Sequence, residues 1–124
     1  MFFADRVPAH LRRRLRQRKT QINLFELLAL QAAVWTFGEA MRDARVVVFV
    51  DNQAALNMAI RGWSPRDDAN DALHEVWLRL AYRGIEVHWA YVPSKLNLAD
   101  GPSRAEYGTM EAMDLLRVDA VWPP

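Results

Sequence analysis

The stretch Arg45-Val46-Val47-Val48-Phe49-Val50-Asp51-Asn52 decides the fold class. Its run of β-branched and aromatic residues suits a strand covered on both faces, as in parallel sheets. The run ends abruptly in Asp51-Asn52, residue types that favour turns and helix starts. Downstream, a short helix is predicted from Gln53 to Ile60, stopped by Gly62, and a longer one from Asp67 to Arg83. The longer helix has acids in its first turn and Gly84 just past its end, as the helix dipole and the left-handed C-cap favour. Ile85 to Val92 then alternates, with Ile85, Val87, Trp89 and Tyr91 on one side and Glu86 and His88 on the other. That pattern predicts a strand with one solvated face near a sheet edge. Two strands joined through helices pair in parallel with a right-handed crossover.

Upstream, Ile22 to about Arg42 carries the strongest helical signal, with apolar residues around most of its circumference. Asn23 and Glu26 have the spacing of a capping box just inside its start. Phe2 and Phe3 begin a predicted short strand ending at Val7-Pro8, and Pro8 then opens a helix on which Leu11 and Leu15 form an i, i+4 pair. No internal repeat or low-complexity segment interrupts the chain. The reading is one α/β domain: a short strand and basic arm over 1–19, and a core with a C-terminal tail over 20–124.

Composition bounds the function. In 124 residues there is room for one domain, and the apolar and charged fractions are those of an ordinary globular protein. Cysteine is absent, which excludes disulfides, thiol nucleophiles and thiolate metal sites. The opening Met1-Phe2-Phe3 meets Asp5 and Arg6 at once, unlike a signal peptide, and no stretch has the length of a membrane helix. The expected location is intracellular, cytoplasmic or nuclear, with no membrane partner. The net charge of +1 conceals an asymmetry: residues 1–19 carry seven Lys/Arg against one acid, the remainder nine against fourteen. Arg12, Arg13, Arg14, Arg16, Arg18 and Lys19 make a basic arm on an acidic body, suited to holding a polyanion near a cation site.

In open parallel sheets, sites form beyond the carboxyl ends of the strands. Asp51 stands at one such end, Asp100 follows the second strand after a short loop, and Glu26 lies in the first turns of a helix able to pack on the sheet. Carboxylates converging on one edge repel unless divalent cations lie between them, and Mg²⁺ or Mn²⁺ suits such oxygen donors. Each residue also has a purely structural reading: Glu26 as half of a capping box, Asp51-Asn52 as a strand-to-helix turn, Asp100 as a turn residue before Gly101-Pro102. His10, His74 and His88 lack ligand spacing and read as surface or packing residues. Trp35, Trp77 and Trp89 lie in apolar periodic segments and read as core; Trp63, after Gly62 in a loop, reads as exposed.

The order Ile22-x-x-x-Glu26-Leu27-Leu28-Ala29, Val48-Phe49-Val50-Asp51-Asn52-Gln53-Ala54-Ala55 and Val92-Pro93-Ser94-x-x-Asn97-x-Ala99-Asp100-x-x-Ser103-Arg104 resembles ribonuclease H. The form it resembles is that of retrotransposon reverse transcriptases, the DIRS-like type. The resemblance implies a ribonuclease H-like fold, a mixed sheet flanked by helices, and two-metal cleavage of RNA in RNA–DNA hybrids. It makes Glu26, Asp51 and Asp100 the catalytic and Mg²⁺- or Mn²⁺-binding carboxylates. Asn52 becomes a contact to the substrate backbone.

The pattern also departs from the family. The family's first carboxylate, an Asp on its first strand, has no counterpart here, and Asp5 reads as a third-strand residue. The loop Ser94-Lys95-Leu96 lacks the His that many members carry. The expectation is therefore a fold truncated at its N-terminus, a small sheet with hydrolysis impaired. The partners implied are an RNA–DNA hybrid or other nucleic acid, and a reverse transcriptase domain or second copy completing the sheet. The alternatives are a non-catalytic nucleic-acid-binding remnant and an assembly module with an open sheet edge.

Overall fold

The structure, a computed structural model, describes residues 1–15 and 22–124. Strands β1, Arg45–Val50, and β2, Glu86–Tyr91, pair in parallel, from Arg45 opposite Glu86 to Val50 opposite Tyr91. This register is pinned at both ends. The turns before the strands are joined where Asp43 N donates to Arg83 O at 3.0 Å and Glu86 N to Ala44 O at 3.0 Å. Gly84 makes that close approach possible: its φ is +65°, and a Cβ there would collide with the Asp43 carboxylate. At the far end Val92 N donates to Val50 O at 3.1 Å.

Parallel strands need a long crossover, and two helices supply it. The first, α3 (Gln53–Arg61), is capped by Asn52 and closed by Gly62 in the left-handed conformation. The second, α4 (Asp67–Tyr82), places Asp67 and Asp68 in its first turn. Before β1, α2 (Ile22–Phe37) packs along α4. Leu24, Leu27, Leu28, Ala55, Ala69, Ala72 and Leu73 form one buried cluster between α2, α3 and α4. Val34, Val76, Leu80 and Ile85 form a second beneath the sheet, against Val46, Val87 and Trp89.

The termini meet on the same body. Ahead of the short α1 (Ala9–Arg12), Phe2 N donates to Leu116 O and Val118 N to Phe2 O, at 2.9 and 2.8 Å. Asp5 Oδ2 accepts from Ala120 N at 2.7 Å, so this carboxylate caps the C-terminal tail. After β2 come a 3₁₀ turn at Ser94–Leu96 and two short helices, α5 (Asp100–Ser103) and α6 (Gly108–Ala112).

Several expectations need correction. Among the described residues the sheet has two strands, both parallel, and is not the small mixed sheet that was expected. Phe2 makes an isolated parallel bridge to Arg117 and no strand, because the pairing stops after the two bonds to Leu116 and Val118. Helix α2 ends at Phe37, and Gly38 and a turn replace the expected continuation to Arg42. Asn23 lies inside α2, where its side chain serves Asn52 instead of a capping box. Above all, β1 is not covered on both faces: Val47 and Phe49 are 52% and 62% exposed. The helices all needed by the crossover lie against Val46, Val48 and Val50, and nothing described lies over the other face.

Two substitutions test this account of the core. Leu73→Ala, at a side chain with no exposed surface, is expected to cost about 2–5 kcal/mol in denaturant unfolding. Gly84→Ala is expected to cost about 1–3 kcal/mol, from forcing a non-glycine residue into the left-handed region. A loss at Gly84 no larger than at an exposed alanine site would contradict the register argument.

Candidate functional site

Asp51 leaves β1 immediately after Val50 has made the last bond to the second strand. The loop after β2 reaches back to it: Asn97 Nδ2 donates to Asp51 Oδ2 at 3.0 Å, while Asn97 Oδ1 accepts from Ala99 N at 3.1 Å. The amide thereby orients one carboxylate oxygen and holds its own loop in a turn. Asn52 ties the same point to the helices. Its Oδ1 caps α3 by accepting from Ala55 N at 2.9 Å, and its Nδ2 donates to Asn23 Oδ1 on α2 at 2.9 Å.

That bridge brings the start of α2 to the exit of β1, and Glu26 with it. Glu26 is half-buried, and its carboxyl is held above the ordinary value first by burial and then by the negative charge of Asp51. Two carboxylates therefore share one field at the carboxyl end of a parallel strand, where such sites form. A raised carboxyl beside a second acid is the electrostatic condition that a divalent cation relieves. Mg²⁺ commonly uses one or two carboxylates and completes its shell with water and phosphate oxygens, and a carboxylate pair such as Glu26 and Asp51 has that donor chemistry.

Asp100 begins α5 and forms an ion pair with Arg104 one turn later. Among the described residues no three His, Cys, Asp or Glu side chains gather as a metal-holding group. The structure thus joins Glu26 to Asp51 but does not assemble them with Asp100. Asn52, expected against a substrate backbone, has both ends of its amide engaged within the protein. Of the basic arm, Arg12, Arg13 and Arg14 are exposed, with Arg14 Nη1 donating to Pro124 O at 2.7 Å. Arg16, Arg18 and Lys19 lie outside the described residues.

Trp63 is exposed as expected and Trp89 packs, partly buried, against the cluster beneath the sheet, but Trp77, expected in the core, is 38% exposed. Trp77 donates to Ala59 O at 3.0 Å and its ring lies 6.0 Å from that of Trp89, although Trp77 keeps part of its surface in solvent. Trp35 lies under the Arg79 guanidinium at 3.5 Å, and Trp63 is 56% exposed. Sequence reasoning passed over Asn97 and Asn23 as positioning residues. Asn97 was marked only by its place in the motif before Asp100, and Asn23 only by the spacing of a cap.

The Glu26 shift has a definite sign. A carboxyl held higher in the folded than in the unfolded chain keeps its proton in the folded state over the interval between the two values. Its contribution to stability is full below the unfolded value and is lost as pH rises through the folded one. Glu26→Gln is therefore expected to melt higher than the parent chain at neutral pH and to lose that advantage in acid. Asp51→Asn should move the Glu26 carboxyl back towards its ordinary value, as read by NMR titration; no movement would dissociate the two groups.

Compared with protein-family models, with curated proteins and with solved structures, the chain matches none.

Proposed function

We propose that the chain is a ribonuclease H-like module of a retroelement reverse transcriptase polyprotein. In this reading it binds RNA–DNA hybrid or related nucleic acid and cleaves RNA poorly by itself. The carrying observation is the Glu26–Asp51 carboxylate pair at the carboxyl end of β1, steadied by Asn97 and the Asn52–Asn23 bridge. Glu26 and Asp51 would hold Mg²⁺ or Mn²⁺, which when bound supplies charge neutralisation and water activation for phosphodiester hydrolysis.

The chain's own residues supply binding and orientation. Asn97 fixes the direction of the Asp51 carboxylate, and Asn52 sets the distance between β1 and α2. Arg12, Arg13 and Arg14, with Arg16, Arg18 and Lys19, would hold phosphates through contacts that are salt-sensitive and blind to sequence. Asp100 would join the site only on exchanging its partner Arg104. That exchange is why the activity is proposed to be weak.

The second reading is a non-catalytic nucleic-acid-binding remnant, favoured by Trp63. This exposed ring stands between Arg61 and Arg66, both exposed, and offers a base a stacking face beside phosphate-binding cations.

Melting the chain with Mn²⁺ or Mg²⁺, alongside Asp51→Asn, tests the cation site; an end-labelled hybrid tests cleavage. The expected result is stabilisation that disappears in Asp51→Asn, with slow cleavage that disappears with it. Equal melting with and without cation would remove the metal reading. Replacing Arg12, Arg13 and Arg14 by Gln should flatten the log–log salt dependence of hybrid binding by about two to three units. Binding that depends on Trp63 and survives Asp51→Asn without any cleavage would favour the remnant.

A further inference from the structure

Strand β1 offers one edge to β2 and leaves the other open. Ala44 O and Val50 O accept from the second strand, so the even-numbered positions of β1 turn their peptide groups towards β2. The odd-numbered Arg45, Val47 and Phe49 therefore present N–H and C=O on the opposite edge. Among the described residues no strand pairs there. The same three residues carry their side chains on the uncovered face, where Val47 and Phe49 are largely in solvent. Charged side chains, prolines and bulges normally blunt such edges; between Arg45 and Asp51 this one has none. On β2, by contrast, Glu86 and His88 interrupt the solvent face.

We infer that this edge pairs with the same edge of a second copy, antiparallel about Val48, to give a four-stranded sheet in the order β2-β1-β1-β2. Antiparallel pairing across these edges matches odd positions with odd positions, which leaves three central registers. With Val47 opposite Val47, Arg45 faces Phe49. With Phe49 opposite Phe49, Asp51 faces Val47. Only with Val47 opposite Phe49 does each apolar side chain meet an apolar one while Arg45 of one copy meets Asp51 of the other at both ends. Arg45 already pairs with Glu86 of β2 at 3.0 Å in a solvent-exposed contact, and Asp51 keeps one oxygen beyond the one that accepts from Asn97, so each can take the further charge contact. Charge complementarity thus selects the second copy and its register together, because the strand begins with a cation and is followed by an anion. The contact is isologous and closes at two. It needs no divalent cation, although it shares Asp51 with the carboxylate pair.

Sedimentation equilibrium without divalent cations, from micromolar to millimolar chain, is expected to show a monomer–dimer equilibrium. Phe49→Lys and Val47→Glu, both at exposed positions, should each weaken it by about tenfold or more, through charge brought unpaired into the contact. An equimolar mixture of the two variants should recover it, since the new carboxylate then faces the new ammonium. Because the chain has no cysteine, Val48→Cys gives a second readout. Across the two-fold axis its Cα atoms would be about 4.5 Å apart, as in a non-hydrogen-bonded pair, within the disulfide range. Under oxidised glutathione it should cross-link faster than the more exposed Phe49→Cys. A chain monomeric at every concentration, a dimer indifferent to both charge substitutions, or a mixture that fails to recover would each overturn the inference.

Discussion

Everything else in this fold follows from the parallel pairing of β1 with β2. Parallel neighbours cannot be joined by a tight turn, so the chain must travel from Asn52 to Ile85 before it can begin the second strand. That interval becomes α3 and α4, and burying their apolar faces requires α2 beside them. The same pairing collects two strand ends at one place, and the Glu26–Asp51 pair lies there. The lower register lock at Asp43, Ala44 and Gly84 is thus an upstream condition for the site at the other end. A one-residue slip would exchange the two faces of β1, sending Val47 and Phe49 inward in place of Val46, Val48 and Val50.

Much of this was legible from local pattern. The span of β1, the helix after it, its stop at Gly62 and the alternation of β2 all follow from residue types within a few positions of each other. Features that depend on distant chain were not legible. The run of valines looks like a strand buried on both faces, because apolarity records what could be buried and not what lies above it. Asn23 carries a cap spacing, yet its amide answers Asn52, 29 residues away. Asn97 is a plain loop residue until β2 returns its loop to Asp51, 46 positions back. The position of Asp51 at a strand end was legible, whereas its coupling to Glu26 was not.

Glu26 carries a cost in stability. Burial raises its carboxyl, and Asp51 adds repulsion, so a glutamine of the same shape would suit the fold better at neutral pH. Local rules broken in this way concentrate at functional positions. Two arrangements hold the pair in place. Asn97 spends its amide on orienting Asp51, and Asn52 uses both ends of its amide to hold strand exit and helix start together. Neither interaction neutralises the charge; both fix where it stands.

The open edge and the carboxylate pair lie close together, because Asp51 directly follows β1. On β1 the helices occupy the side of Val46, Val48 and Val50, so whatever completes the sheet meets Arg45, Val47 and Phe49 first. Asp51 follows the last strand residue, and a strand added at that edge therefore ends or begins beside it. Completion of the sheet and the electrostatics of Glu26 are in this way coupled through a single side chain. A partner that brings a cation to Asp51 eases the repulsion on Glu26 and lowers its carboxyl, while one that brings another carboxylate raises it further. Which group the added strand places there decides whether the pair is quieted or made a stronger cation ligand.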